Sequence, residues 1–515
     1  MCLVFLLMCF SISVNAQYPI DIKSDYNWLF GYGSQPIRPT GGSLLSFNGT
    51  SFDTSWHNHN GIWLRATNTS QSDKDGNLLY YFDGYHVVGA NHLLITNGDS
   101  LNCCEQDFLN NYPQGAAPVQ GGLTLAFMDE NNEELNTYYL FHKPFNVNVN
   151  GDVVSYNFRA SKIGYINNEL VVIEKDNIIK LDTFPPGYIS ATRHANGRDW
   201  WIVQHRFNRK KYYVFLASPD TIQLVHTIQK GIYNKLIFGQ HLFTPDGTKY
   251  IQAGMQNDFD SYKYHIQIFP FDRCTGLMSN PVHIEFVDST VTSSASAAIS
   301  PNSRYLYLAN RFEIWQFDLL APDILASKTT VAEYDGFIDS SGGLPFGTTF
   351  VWKQLGPDGK IYIVGNNTTY LHTIDNPDEP GLACNVNQHS FKMPTLNAYS
   401  MPNFPNYRLG PIDGSPCDTL GIDNLTNIND KLDNNSEPVR LYPNPARDYI
   451  TLLIPRITKQ WQFALFDIQG REVLHLHSRG AFRSLDVSQL AAGLYLWRLV
   501  YEDGKEERGK LILQR

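Results

Sequence analysis

Asp73, Asp75 and Asn77 alternate in the stretch Ser72-Asp73-Lys74-Asp75-Gly76-Asn77. Oxygens at every second position could wrap a hard cation such as calcium, although the distant acidic ligand of an EF-hand is missing. Asp-x-Asp-Gly also shapes a turn by itself, because Asp bonds its own backbone and Gly accepts positive φ. His57 and His59 stand two apart and would share a strand face, as paired metal ligands do, with no third ligand close in sequence. Trp200-Trp201, Trp56 and Trp63 could stack on flat ligands such as sugar rings, or pack one sheet on another. Gly-x-Ser-x-Gly, His-Glu-x-x-His and a phosphate-cradling Gly loop are all missing from the sequence. The paired carboxylates of a glycosidase come from separate strands and leave no local signature. No catalytic or cofactor-binding residue is therefore assigned, and the one candidate site is calcium at Asp73, Asp75 and Asn77.

The elements that would position such residues are strands. Thr244-Pro245-Asp246-Gly247-Thr248-Lys249-Tyr250-Ile251, Ser300-Pro301-Asn302-Ser303-Arg304-Tyr305-Leu306-Tyr307 and Gly356-Pro357-Asp358-Gly359-Lys360-Ile361-Tyr362-Ile363 are one turn repeated at a period of about 56 residues. Pro presets φ, Asp or Asn caps the turn, and Gly takes φ > 0. Alternating runs follow, and a second run in each copy ends near Asp272, Asp318 or Asp375. Asp75-Gly76, Asn131-Asn132 and Asn196-Gly197 open looser copies. Roughly seven such units fit between Asp25 and Leu409. Four-stranded units repeated seven times predict a β-propeller, which leaves few sheet edges bare. Composition agrees: 13% aromatic residues favour strands over helices.

The fold class predicted is all-β, a seven-bladed β-propeller followed by a small C-terminal β-sandwich. Four segments are expected: a signal peptide at 1–16, a repeat body at 17–417, a linker at 418–438 and a terminal domain at 439–515. Leu3 to Phe10 is an apolar h-region, and Val14-Asn15-Ala16 precedes a plausible cleavage point. No basic residue stands ahead of that run. The linker is rich in Asn and Asp. The terminal domain carries 12 Lys+Arg against 8 Asp+Glu, whereas the whole chain has net charge −10, so the two modules differ in surface. The acidic balance argues against a nucleic-acid partner, which needs clustered cations. No other apolar run reaches membrane-spanning length. With Cys2 and Cys9 in the signal, Cys103, Cys104, Cys274, Cys384 and Cys417 remain, an odd number that leaves at least one thiol unpaired and the pairing open.

The terminal stretch resembles the type A sorting domain of proteins exported by the type IX system of Bacteroidetes-like bacteria. The matching residues are Leu441-Tyr442-Pro443-Asn444-Pro445-Ala446, Leu465-Phe466-Asp467-Ile468-Gln469-Gly470-Arg471-Glu472, Asp486-Val487-Ser488, Leu490-Ala491-Ala492-Gly493-Leu494-Tyr495 and Gly509-Lys510-Leu511-Ile512-Leu513. This resemblance implies export through both membranes, the secretion machinery as a partner, and a secreted or surface location. The body resembles uncharacterised propeller-like proteins that carry such a tail. That likeness rests on Asn27-Trp28-Leu29-Phe30-Gly31, the run from Ser72 to Tyr81, Asn97-Gly98-Asp99, Asp272-Arg273-Cys274-Thr275-Gly276 and two of the repeated turns. Where those proteins read Gly-Leu-Pro-Asn-Phe, this chain has Ser400-Met401-Pro402-Asn403-Phe404.

The function expected is a non-enzymatic, surface-displayed binding or adhesion protein, with a polysaccharide or surface protein as partner. The rival is a secreted hydrolase or lyase acting on polysaccharide or peptide from a central channel. Converging carboxylates at the channel mouth would favour the rival, and a mouth lined by Asn, Thr and Tyr would favour binding.

Overall fold

The computed structural model describes residues 22–514 except 33–39, 59–61, 63, 103–120, 129–133, 186, 188, 208–209, 233–237, 259–260, 289–294, 413, 421–438, 443, 454–459, 480–481 and 502–505. The expected signal peptide, most of the expected linker, His59, Trp63, Cys103, Cys104 and the Asn131-Asn132 turn lie outside the described residues. The chain divides into two compact units, Met1–Thr426 and Asn427–Arg515.

The first unit is all-β. Seven antiparallel sheets of three or more strands follow one another along it, among the described residues. Sheet I joins Asn27–Tyr32, Gly41–Asn48 and Ser51–His57; sheet II joins Thr69–Ser72, Leu78–Phe82 and Val87–Gly89. Sheet III joins Gly122–Met128, Glu134–His142, Val153–Ile166 and Glu169–Phe184, with Asn146–Val147 pairing onto Val153–Ile166. The next three are four-stranded meanders. Sheet IV is Ser190–Arg193, Trp200–His205, Lys211–Ala217 and Ile222–Gln229; sheet V is Phe238–Phe243, Lys249–Asp258, Ser261–Pro270 and Val282–Asp288; sheet VI is Ser296–Ile299, Tyr305–Ala309, Glu313–Asp318 and Thr329–Glu333. Sheet VII repeats the pattern with Lys353–Leu355, Ile361–Val364, Asn366–Ile374 and Val386–Ala398. Among the described residues, sheets I and II thus have three strands where the repeat predicts four.

Each repeated turn joins the first strand of its sheet to the second, and the residue types explain why. Asp246, Asn302 and Asp358 each accept the backbone N–H two residues on through Oδ1. Gly247, Ser303 and Gly359 sit at φ +70°, +62° and +82°, the left-handed step that closes the turn. Ser303 holds this strained position without being glycine. The Asp that ends the third strand then pairs with the basic residue of the turn, Arg304 with Asp318 and Lys360 with Asp375. These partly exposed pairs contribute little energy.

Among the described residues, neighbouring sheets share no strand ladder and pack through side chains. The first strands of sheets IV, V, VI and VII lie against one another in succession, and the last strand of sheet VII lies against sheet I. Aromatic rings fill these interfaces: Trp28 is within 5.3 Å of Tyr362, and Tyr264 packs edge-on against Trp315 at 5.2 Å. Such pairs add to the burial of 150–250 Å² that each large ring brings.

In the second unit, Arg440–Tyr442, Tyr449–Leu453 and Phe482–Asp486 form one sheet. Glu472–Arg479, Gln460–Phe466, Gly493–Tyr501 and Glu506–Leu513 form another. Ile450, Leu452, Trp461, Phe463, Leu465, Leu499 and Leu511 share its single core. Alternation of buried and exposed residues along Gly493–Tyr501 is what a strand with one wet face requires.

Candidate functional site

A cavity of about 110 Å³ lies where the first strands of sheets III to VII converge. Its walls carry Ser190, Thr192, Gln240, His241, Thr244, Lys353 and Gln354 among aliphatic residues. Gln240 stitches three sheets: its Oε1 accepts the N–H of Ala297 at 2.9 Å, and its Nε2 donates to the carbonyl of Lys353 at 3.0 Å. Lys353 is buried and its Nζ donates to Ser296 Oγ at 2.5 Å; burial pushes its pKa well below the usual lysine range. The only carboxylate among the described lining residues is Asp25. Its oxygens take the Arg408 guanidinium at 2.5 and 3.0 Å.

Part of the cavity wall is formed by Asn403 to Asn406 and Arg408, which belong to a strap, residues 400–417, that holds no strand among its described residues. Asn403 anchors it. Its N–H donates to the carbonyl of Asn68, its carbonyl accepts Thr69 Oγ1, and its amide donates to Gly122 and Ile189. One residue, through its backbone and its side-chain amide, thereby ties together sheets II, III and IV. Further along, Asn406 reaches the carbonyl of Pro245 at 2.8 Å and the Tyr407 hydroxyl that of Thr124 at 2.7 Å. Arg273 donates to Gly410, and Ile412 N–H to Ala195. A Cys274–Cys417 disulfide fastens the end. Cys384 is a buried thiol whose pKa burial pushes up to about 11, so it is inert at neutral pH.

The residues singled out from sequence fall elsewhere. Asp73, Asp75 and Asn77 do come together, on the turn between the first two strands of sheet II. There the Asp73 carboxylate accepts three donors from its own turn: Asp75 N–H at 2.9 Å, Asn77 N–H at 2.8 Å and Asn77 Nδ2 at 3.0 Å. Asp75 pairs with Lys74 at 3.0 Å in solvent. A calcium ion would have to draw these oxygens from donors already in place. His57 stacks on His92, with ring centroids 4.1 Å apart. Trp200 and Trp201 are buried and donate their indole N–H to the carbonyls of Ala126 and Arg273, both at 2.7 Å. The Arg193 guanidinium lies 4.1 Å over the Trp200 ring. These two indoles pack sheets together and offer no face to a sugar. Trp56 is half-buried, with its indole N–H 3.3 Å from the carbonyl of Thr40.

In the second unit, the sequence motifs become fastenings. Asn444 Oδ1 accepts Ile512 N–H at 2.9 Å, and its Nδ2 donates to Lys510 at 3.0 Å. Asn444 thus pins the last strand, and Ala446 pairs beside it with Ile512 and Gln514. Asp467 Oδ1 takes the N–H groups of Gln469 and Arg471 in a turn where Gly470 has φ +78°. The Tyr495 hydroxyl reaches back to Ala491. Residues 440–514 match the family described as secretion system C-terminal sorting domain. The second unit is a type IX sorting domain. The sorting domain engages the secretion machinery, and the protein is secreted or held at the cell surface. No described helix is long and apolar enough to cross a membrane.

No curated protein matches the chain by sequence. Among solved structures, it is similar to a functionally unknown protein from Desulfotomaculum acetoxidans, at 11% identity and TM-score 0.31, over 68% of this chain and 92% of that one. A quinonprotein alcohol dehydrogenase-like protein from Bacteroides thetaiotaomicron matches at 10% identity and TM-score 0.31, over 69% and 81%. The Dos1 propeller matches at 10% identity and TM-score 0.35, over 73% and 88%.

Proposed function

We propose that the first unit is a closed seven-bladed β-propeller, residues 17–417, joined by a linker at 418–438 to a sorting domain at 439–515 with a β-sandwich fold. Its task is binding or adhesion at the cell surface, with a polysaccharide or surface protein as partner. The observation that carries this reading is the state of the central cavity. At about 110 Å³ it falls well short of the roughly 300–1,000 Å³ of small-molecule sites. The strap forms part of its wall, and its one described carboxylate is bound to Arg408. Glycoside cleavage needs a pair of free carboxyl groups about 5–10 Å apart. A rigid ring with so small a central cavity presents its loops instead, where recognition residues concentrate.

One observation favours the rival hydrolase. A serine hydroxyl beside a lysine of depressed pKa, as at Ser296 and Lys353, is the pairing of a Ser–Lys nucleophile. Both side chains are at most 1% exposed, however, so a substrate has no route to them. The test is a glycan and peptide array probed with the full chain, run beside a sugar- and peptide-release assay on the same ligands. Binding without release supports the adhesion reading. Release that disappears in Ser296→Ala would replace it with the hydrolase.

A further inference from the structure

Sheet V carries a group of side chains that neither the cavity nor the sorting domain uses. His265 lies on its third strand, and His283 and Glu285 on its fourth. His265 stands opposite Glu285 and Gln267 opposite His283 in the ladder, so strand alternation puts all four on one face. His265 Nδ1 is 3.2 Å from His283 Nε2 and 3.6 Å from Glu285 Oε2, and the three ligand atoms all lie within 4.8 Å of one another.

Those separations have a meaning for metal binding. Ligand atoms held at about 2.0–2.1 Å from a tetrahedral zinc ion stand about 3.4 Å apart. Two of the three edges of such a ligand triangle are therefore already close to that length. The third closes by turning Glu285, an exposed side chain with room to rotate. The two ring planes lie 15° apart with centroids 5.5 Å apart, and the facing nitrogens stand 3.2 Å from each other across the gap an ion would enter. His265 is buried and fixed, while His283 and Glu285 are exposed, so an ion can reach the group from solvent. Lys263, on the same face, holds Glu285 Oε1 at 3.3 Å and leaves Oε2 toward the rings. Outer contacts of this kind orient a ligating carboxylate.

We propose that His265, His283 and Glu285 bind a divalent transition-metal ion, zinc being the best fit to two imidazoles and one carboxylate. Two nitrogen donors disfavour calcium and magnesium, which take oxygen. Three protein ligands leave one tetrahedral position for water or for a side chain of a docked partner. The site is independent of whether the body binds glycan.

The test is calorimetric titration of the EDTA-stripped full chain with zinc chloride, with cobalt(II) absorption to report coordination geometry. One ion per chain is expected, with a four-coordinate cobalt spectrum and no heat from calcium chloride. His283→Ala and Glu285→Gln, both at surface positions, should each weaken zinc by roughly tenfold or more, and their urea midpoints in EDTA should match the parent, which shows the fold intact. His475 and His477 stack in the sorting domain and provide the control, so His475→Ala should bind as the parent does. Absence of zinc binding would overturn the proposal. So would binding that survives in both sheet V variants, or that is lost in His475→Ala.

Discussion

Acidification should unfold the body well before its carboxylates protonate. His142, His205 and His372 are buried, and burial above all holds each at a pKa of about 3. In the unfolded chain a histidine titrates near 6.5. Their folded pKa lies below the unfolded one, so their contribution is complete above pH 6.5 and is lost as pH falls toward 3. At pH 5 the loss is about 2 kcal/mol for each, from 1.36 kcal/mol per pKa unit. Three together approach the whole stability of a typical domain, about 5–15 kcal/mol. His86 works the other way. Burial lowers its pKa, but the hydrogen bond and charge of Asp83 outweigh burial and raise it, so it gains stability as the pH falls and returns part of the loss. Urea unfolding of the full chain in EDTA, followed by tryptophan fluorescence from pH 7.5 to 5, measures the balance. The midpoint should fall steeply below pH 6.5. In His142→Gln the dependence should be shallower by one proton, because that ring is replaced by an amide able to keep its partners Asn102 and Ser161. A midpoint that is flat or rising from pH 7.5 to 5 would refute the reasoning.

Four other perturbations address the strap, the turn and the sorting domain. Arg408→Ala strands the Asp25 carboxylate, 5% exposed, and should lower the stability of the body by about 3 kcal/mol, read as a lower unfolding temperature of that unit. Cys417→Ser opens a link between residues 143 apart and should cost at most about 5 kcal/mol on chain-entropy grounds; dithiothreitol on the parent should produce the same shift. Asp73→Ala should cost about 1–2 kcal/mol, equally in calcium and in EDTA. A loss seen only with calcium would place an ion on Asp73, Asp75 and Asn77. Asn444→Ala removes two fastenings of the last strand of the sorting domain and should lower the amount of protein reaching the exterior of a type IX-competent host, whereas Gln489→Ala, on an exposed turn, should leave it unchanged.

What the sequence disclosed is what local chemistry dictates. Pro245-Asp246-Gly247 and its two copies can hardly do anything but turn, and each turn sits between the first and second strands of a sheet. The sorting domain was equally legible, because Asn444, Asp467 and Gly470 serve contacts fixed within that unit. The strap was hidden for the opposite reason. Asn403 and Asn406 bond to bare backbone carbonyls far away in the chain, and a carbonyl carries no residue identity. The pairing of Cys274 with Cys417 likewise depends on where the strap ends. Trp200 and Trp201 showed that rings were dense but not which way they faced, and only their buried N–H bonds decide that they pack. His265, His283 and Glu285 escaped notice because a ladder register, not a spacing, brings them together.

The strap also sets a timetable. Its partners, Asn68, Gly122, Ile189 and Pro245, are synthesised hundreds of residues before Asn403 and Asn406 in several cases, and Asp25 waits for Arg408 across 383 positions. Contacts of such range form slowly, since the chain between them must be ordered first. Until residues 400–417 emerge, the early sheets lack their central fastener. The ring of sheets therefore gains this fastener only when almost all of the body exists, although each meander can form its own ladder earlier.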